Sequence, residues 1–397
     1  MNTSSRRALT YASYFGMFIF GMQLSLISPL LPYLFDRIPL EATQAGMLFF
    51  YINGGSLAVA LLIGPAVDRF GFKAPFLVSS LVSALAMVTV AGSASYGDLA
   101  VGSFLIGIGG GGLNAGTNAF MADLYPQGRS AALNRLGVSF GIGAVLMPLS
   151  LAAFLRLASL KTLLWASGAV ALASGGMFLC LDFPPPKHSS GGFPFREAIR
   201  ALSHPLTLLL GVMLFFESGN ETNAQLWLPT FVVEESAVSA SSASFLMALF
   251  WAGLLLGRML SPRLLRKVSE ATLIEVGAGG AAGCLLLLVL FPGAAASAFA
   301  FGVGLTMAPV FPCAYGYIAT RFPGFSGTLI GAAVGMAVTG GMFFPWLGGH
   351  VVKALGPGSG LIAAAVGFVV VVVLQAVIKG KDSTNVGADV TQPKWRE

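Results

Sequence analysis

Glu217, Ser218, Asn220, Glu221, Thr222, Asn223, Gln225 and Trp227 crowd into one short stretch just ahead of Leu228-Pro229, with apolar sequence on both sides. Glu217, Glu221 and Gln225 recur every fourth residue. In a helix they share one face, with Asn220 beside it. Asn114 and Asn118 repeat that spacing, and Gln23, Tyr51, Asn53, Trp251 and Tyr315 are further polar or amphipathic side chains in apolar surroundings. Amides donate and accept hydrogen bonds and carboxylates accept them, which suits a ring of hydroxyls. Aromatic faces suit the C–H face of a sugar. No Arg or Lys stands among these positions, so the set predicts a neutral polyol ligand without a counter-charge for an anion. Two carboxylates one turn apart repel when both ionise, so Glu217 or Glu221 is a candidate proton or cation site. Each polar group could instead bond a neighbouring helix, a contact worth about 0.6 kcal/mol.

Other apparent motifs carry less. Gly107-Ile-Gly109-Gly110-Gly111-Gly112 matches a dinucleotide-binding pattern, but no strand–helix–strand unit surrounds it, and small residues there let a helix pack closely. His188, His204 and His350 pair with no acid or Cys at ligand spacing. Cys180, Cys284 and Cys313 lie in apolar runs as small hydrophobes. No nucleophile–base pair, metal site or cofactor site is expected, and an enzyme is the least favoured class.

The elements that must hold these residues follow from composition. Of 397 residues, 56% are hydrophobic and only 10% charged, with mean hydropathy +0.82. A water-facing surface needs about 25% charged residues, so the chain reads as a membrane protein. Apolar runs of about 20 residues cross a bilayer as helices. Twelve are predicted, spans 1 to 12, over residues 9–34, 42–66, 74–94, 98–122, 131–155, 160–181, 206–233, 241–261, 272–291, 295–320, 327–349 and 357–378. The first is too long for a signal peptide. A polar, Pro/Gly-rich segment at 182–205 links a six-helix bundle at 1–181 to another at 206–379, and 380–397 is a tail. With the N-terminus cytoplasmic, 18 of the 22 Lys and Arg fall on the cytoplasmic side and 4 outside. This is the positive-inside pattern. It predicts cytoplasmic termini in a bacterial inner membrane and explains the net charge of +6 without nucleic acid.

The two halves also repeat. Leu31-Pro32 falls on Leu228-Pro229, Gly107 on Gly304, Tyr125-Pro126 on Phe322-Pro323, Gly143 on Gly340 and Pro148 on Pro345, all 197 residues apart. Span 2 is aligned to span 8 through Gly64 and Gly257, 193 apart. Duplicated halves place a substrate site at their interface near the bilayer midplane.

After span 2 comes Gly64-Pro-Ala-Val-Asp68-Arg69-Phe-Gly71-Phe-Lys73. It resembles the loop 2–3 signature of the major facilitator superfamily, with Phe72 where the family usually has Arg. The resemblance implies a latch, made of Gly64, Asp68, Arg69, Gly71 and Lys73, that holds the halves in one state. On the residues themselves, Asp68 can cap the next helix. A looser resemblance, to the fucose–galactose–glucose permease branch, rests on several stretches. They are Leu113-Asn114-Ala-Gly-Thr-Asn118-Ala-Phe120, Ala132-Leu133-Asn134, Gly257-Arg258 and Phe311-Pro312-Cys-Ala-Tyr315. Proton-coupled members of that branch place acids in spans 1 and 4, where this chain has Ser28 and Asn114.

The expectation is an all-α membrane protein of two pseudo-symmetric six-helix bundles, a monomer in the lipid bilayer, that carries a neutral hexose by alternating access. Its substrate-binding residues are Gln23, Asn114, Asn118, Glu217, Asn220, Glu221, Gln225, Trp251 and Tyr315. A facilitator is favoured over a symporter driven by a coupling proton or sodium ion. A multidrug or metabolite exporter of the same fold, or a membrane receptor that transports nothing, are the alternatives.

Overall fold

A computed structural model describes residues 3–34, 37–154, 159–184, 205–236, 238–293, 295–321 and 326–386. Most of the 182–205 linker and of the 380–397 tail, with Phe322-Pro323, lies outside the described residues. Among those described, every regular element is a helix. Span 1 is Thr3–Leu24 continued by Ile27–Leu34, and span 10 is Ala296–Met307 continued by Val310–Arg321. The break in span 10 falls at Ala308-Pro309, where proline has no N–H for the helical ladder. The other spans are Ala42–Phe70, Lys73–Gly92, Tyr96–Leu124, Arg129–Phe154, Leu160–Cys180, Pro205–Ser236, Ala240–Leu264, Glu270–Leu290, Ser326–Leu355 and Pro357–Val386. Eleven helices are long and apolar enough to cross a membrane on their own composition. The exception is span 7, which has 32 residues but carries the acids and amides that lower its hydropathy.

Lipid offers helices no hydrophobic reward for meeting, so close van der Waals packing through small residues does the work. The repeat shows directly in those contacts. A Cβ on Gly143 would run into the Phe18 carbonyl, and one on Gly340 into the Phe215 carbonyl, the same contact 197 residues on. Gly55 abuts the Phe104 carbonyl and the Ile108 nitrogen, and Gly253 abuts the Phe301 carbonyl and the Leu305 nitrogen. These pairs set span 2 against span 8 at an offset of 198, which overturns the Gly64–Gly257 alignment. Gly257 packs on Leu305 and Ala308, whereas a Cβ on Gly64 would meet nothing within 4 Å. Helix register is set where backbones cross, in mid-span, and the loop-end residues used for the alignment carry no such constraint.

The halves meet at the end opposite the 68–73 loop. There Lys353 pairs with Glu41 at 2.7 Å, and Ser241 donates to the Ala152 carbonyl at 2.6 Å. Deeper in, Asn53 donates to the Gly341 carbonyl at 3.1 Å and Ser244 bonds the Tyr33 hydroxyl at 3.4 Å. Ser28 donates to the Gln225 carbonyl, and these two residues are 197 apart. Repeat-equivalent positions therefore touch each other, which puts this contact on the pseudo-twofold axis. Toward the loop end, a Cβ on Gly64, Gly331 or Gly335 would meet nothing within 4 Å. The contacts named between the halves gather at the sealed end.

Candidate functional site

Span 7 supplies the densest set of polar groups, and its faces divide them. Gln225 Nε2 donates to Glu221 Oε1 at 2.9 Å, on the face turned toward the junction of the halves. Glu217, one turn earlier, is 1% exposed, and its Oε2 has no hydrogen-bond partner among the described residues. Asn220 points elsewhere. Its side chain lies over Gly367 of span 12, fully buried, with neither amide atom bonded. Asn223 follows it, donating to the Gly360 carbonyl at 2.9 Å and accepting from Trp227 Nε1 at 3.0 Å. The i, i+3 step that links Asn220 to Glu217 rotates the side chain toward the neighbouring helix.

Span 4 presents Asn114 and Asn118 half-buried. Asn118 Nδ2 donates to both the backbone and the side-chain oxygen of Asn114, each at 2.9 Å. The glycines of that span explain how it reaches this position. Gly107 and Gly111 lie against span 2 at Ile52 and Ser56, and Gly109 and Gly112 against span 3 at Ser83 and Ser79. The run that mimics a nucleotide loop is a packing surface.

Gln23 is held inside the first half. It is 2% exposed, donates to the Ser83 carbonyl at 3.0 Å and accepts from the Ser83 hydroxyl at 3.1 Å. Both ends of its amide are satisfied by span 3, as a helix-to-helix bond. Trp251 is also enclosed at 1% exposure, edge-on to Phe140 with centroids 5.7 Å apart. Phe140 in turn meets Phe20 at 5.3 Å. This aromatic layer crosses between the halves, so Trp251 fills the junction and offers no open face for stacking. Tyr315 packs edge-on to Phe311 at 4.9 Å.

Arg258 corrects the expectation that no basic residue reaches this region. Its guanidinium lies over the Phe140 ring, 5.7 Å from the centroid. It interacts electrostatically with Glu217, Glu221 and Tyr315. The sequence grouped it with Arg263, Arg266 and Lys267 at the helix end. The signal for separating it was present, because Arg258 sits more than a turn earlier inside the apolar run Leu254 to Leu260. Phe140 had no sequence signal, since a Phe in an apolar span is unremarkable until its neighbours are known.

The loop of the expected latch turns at Gly71, whose φ of +71° is a conformation that glycine adopts without steric cost. Asp68, Gly64 and Arg129 line a pocket of about 310 Å³ there. Arg69 lies over the Phe70 ring at 5.3 Å, and Lys73 opens span 3. The residue capping span 3 is Phe72, without a side-chain bond, so Asp68 does not cap it. Phe72 instead packs with Phe120 at 5.0 Å and Phe76 at 6.0 Å. The departure from the family pattern adds a half-buried ring to this aromatic cluster.

The comparisons agree with this architecture. The profile described as Major Facilitator Superfamily matches residues 13–333. The chain is 23% identical over 364 residues to an uncharacterized MFS-type transporter, YfkL, of Bacillus subtilis, covering 90% of this chain and 91% of that one. It is 24% identical over 359 residues to a glucose/galactose transporter of Brucella abortus, covering 85% and 86%. A bacterial homologue of the human lysosomal transporter Spinster, solved inward-facing and unoccupied, superposes with a TM-score of 0.81 at 16% identity, covering 97% of this chain and 99% of that one. With paired six-helix halves, one sealed end and a polar core between them, the chain belongs to the major facilitator superfamily and is a membrane transporter.

Proposed function

We propose that the chain carries a neutral hexose, of the glucose, galactose or fucose kind, across a bacterial plasma membrane by alternating access. The observation that carries this reading is a pair of hydrogen-bonding side chains in each half, Asn114 with Asn118 in span 4 and Glu221 with Gln225 in span 7. Both pairs keep free donors or acceptors, which suits a ring of uncharged hydroxyls. The glucose/galactose transporter relative supports the same substrate class. The 18-to-4 split of basic residues supports cytoplasmic termini, so the end sealed by Glu41 and Lys353 faces outward.

Facilitated diffusion is the favoured mode. Ser28 and Asn114 stand where proton-coupled relatives resembled by this sequence keep acids, and both are engaged in neutral hydrogen bonds. Proton or sodium symport is the second reading, favoured by the buried, unpartnered Oε2 of Glu217. Counterflow of labelled glucose, galactose and fucose in proteoliposomes tests the substrate, with imposed proton and sodium gradients to test the mode. Equilibrative uptake that no gradient raises is expected. Accumulation above the external level, abolished in Glu217→Gln or Glu221→Gln, would replace the facilitator with a symporter. Exchange of none of the three sugars would remove the sugar reading.

A further inference from the structure

Arg258 is a half-buried cation without a bonded partner among the described residues. Its Nε is enclosed and makes no hydrogen bond, and no ion pair or hydrogen bond of its guanidinium occurs among the described residues. Isolated charges in a low-dielectric interior are costly, so such a group needs compensation from its surroundings. Compensation is present but held back. Glu217 and Glu221 are near enough to attract it, yet neither comes within contact distance. Phe140 supports the flat face of the guanidinium from the opposite half, leaving the N–H edge free. A rigid fork of donors thus shares its electrostatic surroundings with a pair of carboxylate acceptors while bonding neither.

We propose that Arg258 is a substrate-contacting specificity residue. Its guanidinium donates in a bidentate manner to adjacent hydroxyl oxygens of the sugar, while Glu221 accepts from the hydroxyl hydrogens. A vicinal diol presents both acceptor and donor at each oxygen and so matches a fork of donors paired with carboxylate acceptors. With one of the two repelling carboxylates protonated, Arg258 balances the other and the site selects uncharged sugars. It discriminates against sugar acids, which the carboxylates repel, and against amino sugars, which Arg258 repels. This inference rests on the sugar-carrier reading and adds the residue and the charge rule that define the substrate.

The test is ligand binding, read as thermal stabilisation of the purified full-length protein in detergent, with galactose, galacturonate and galactosamine, and with the matching glucose series. Wild type binds the neutral sugar at least about tenfold tighter than either charged analogue, since like-charge juxtaposition costs several kcal/mol. Arg258→Gln weakens the neutral sugar at least about tenfold through loss of charge-assisted bonds and raises the relative affinity for the amino sugar. Glu221→Gln raises the relative affinity for the sugar acid. Arg258→Lys keeps the charge preference but loses the fork, and so loses affinity. A merely structural arginine would lower stability without moving the preference between acid and amine. Two results overturn the inference and leave the sugar carrier standing: neutral-sugar affinity unchanged in Arg258→Gln, or wild type binding the sugar acid best. Binding of none of these sugars by wild type overturns the sugar reading and the inference with it.

Discussion

Side chains chosen for one kind of chemistry on spacing alone divide into three groups once their neighbours are known. Gln225, Glu221, Asn114 and Asn118 bond one another along their own helices and keep capacity for a ligand. Gln23 spends both amide functions on Ser83, and Asn220 is pressed against Gly367. Removing a partner from a hydroxyl-binding site leaves buried polar groups unpaired, at a cost of about 1–3 kcal/mol. Asn118→Ala and Gln225→Ala should each weaken sugar binding by about that amount, measured by calorimetry or substrate-induced thermal shift. Asn220→Ala should leave sugar affinity unchanged. Wild-type affinity in both of the first two variants would reduce their roles to helix packing. Spacing could find the polar face of span 7 but not its division, because the rotation of about 100° between the adjacent Asn220 and Glu221 separates span 12 from the junction of the halves.

Helix contacts follow a different logic, in which the absent side chain matters most. Gly143, Gly340, Gly55, Gly253, Gly107 and Gly304 each let one backbone lie on another. In soluble helices Gly→Ala is favourable by about 1 kcal/mol, so the sign of a substitution depends on what the new methyl meets. Gly304→Ala would drive its Cβ into the Phe250 carbonyl and should destabilise by about 1–3 kcal/mol, as overpacking does. Gly335→Ala meets nothing within 4 Å and should be neutral or slightly stabilising. Melting curves in detergent separate the two, and equal melting temperatures would show that these crossings yield at no cost. The repeat offset of 197 was readable in the sequence for spans 5 and 11 because their glycines are the crossing points. It was misread for spans 2 and 8, where Gly64 and Gly257 are not equivalent.

At the scale of the whole molecule, the sealed end depends on few polar contacts. Among the described residues, Glu41 and Lys353 form the ion pair that spans the halves there, with 60% and 57% of their side chains exposed. The Lys353 ammonium, hydrogen-bonded to it, holds the Glu41 carboxyl below the usual carboxylate range. A depressed carboxyl stabilises the paired state above its ordinary value, about 4.3, and that contribution is lost as pH falls through the depressed value. Acid should therefore favour parting of this end, and Lys353→Glu should do the same at neutral pH. Exposed pairs are weak, so the population shift should be no more than about fivefold. Distances between spin labels at Leu40→Cys and Ala354→Cys report it. A distance distribution unchanged by acid and by Lys353→Glu would assign closure to the helix packing of Gly46 on Pro345 and Gly349 on Ala42 alone.

Composition determined the membrane class, and the order of residues along the sequence determined the spans, the duplication and the family signature. Each of these is written in local residue order: apolar run length, turn chemistry at Gly71 and a constant repeat distance. The tertiary structure alone decided which end is sealed, that Ser28 meets its repeat-equivalent Gln225, and that Phe72 joins an aromatic cluster. It alone also brought Arg258 beside the span 7 acids. These facts depend on the rotation of each helix about its axis and on contacts across more than a hundred residues of chain. A linear pattern carries such information only where the crossing itself demands a glycine, and a guanidinium resting on a ring from the other half leaves no mark of that kind.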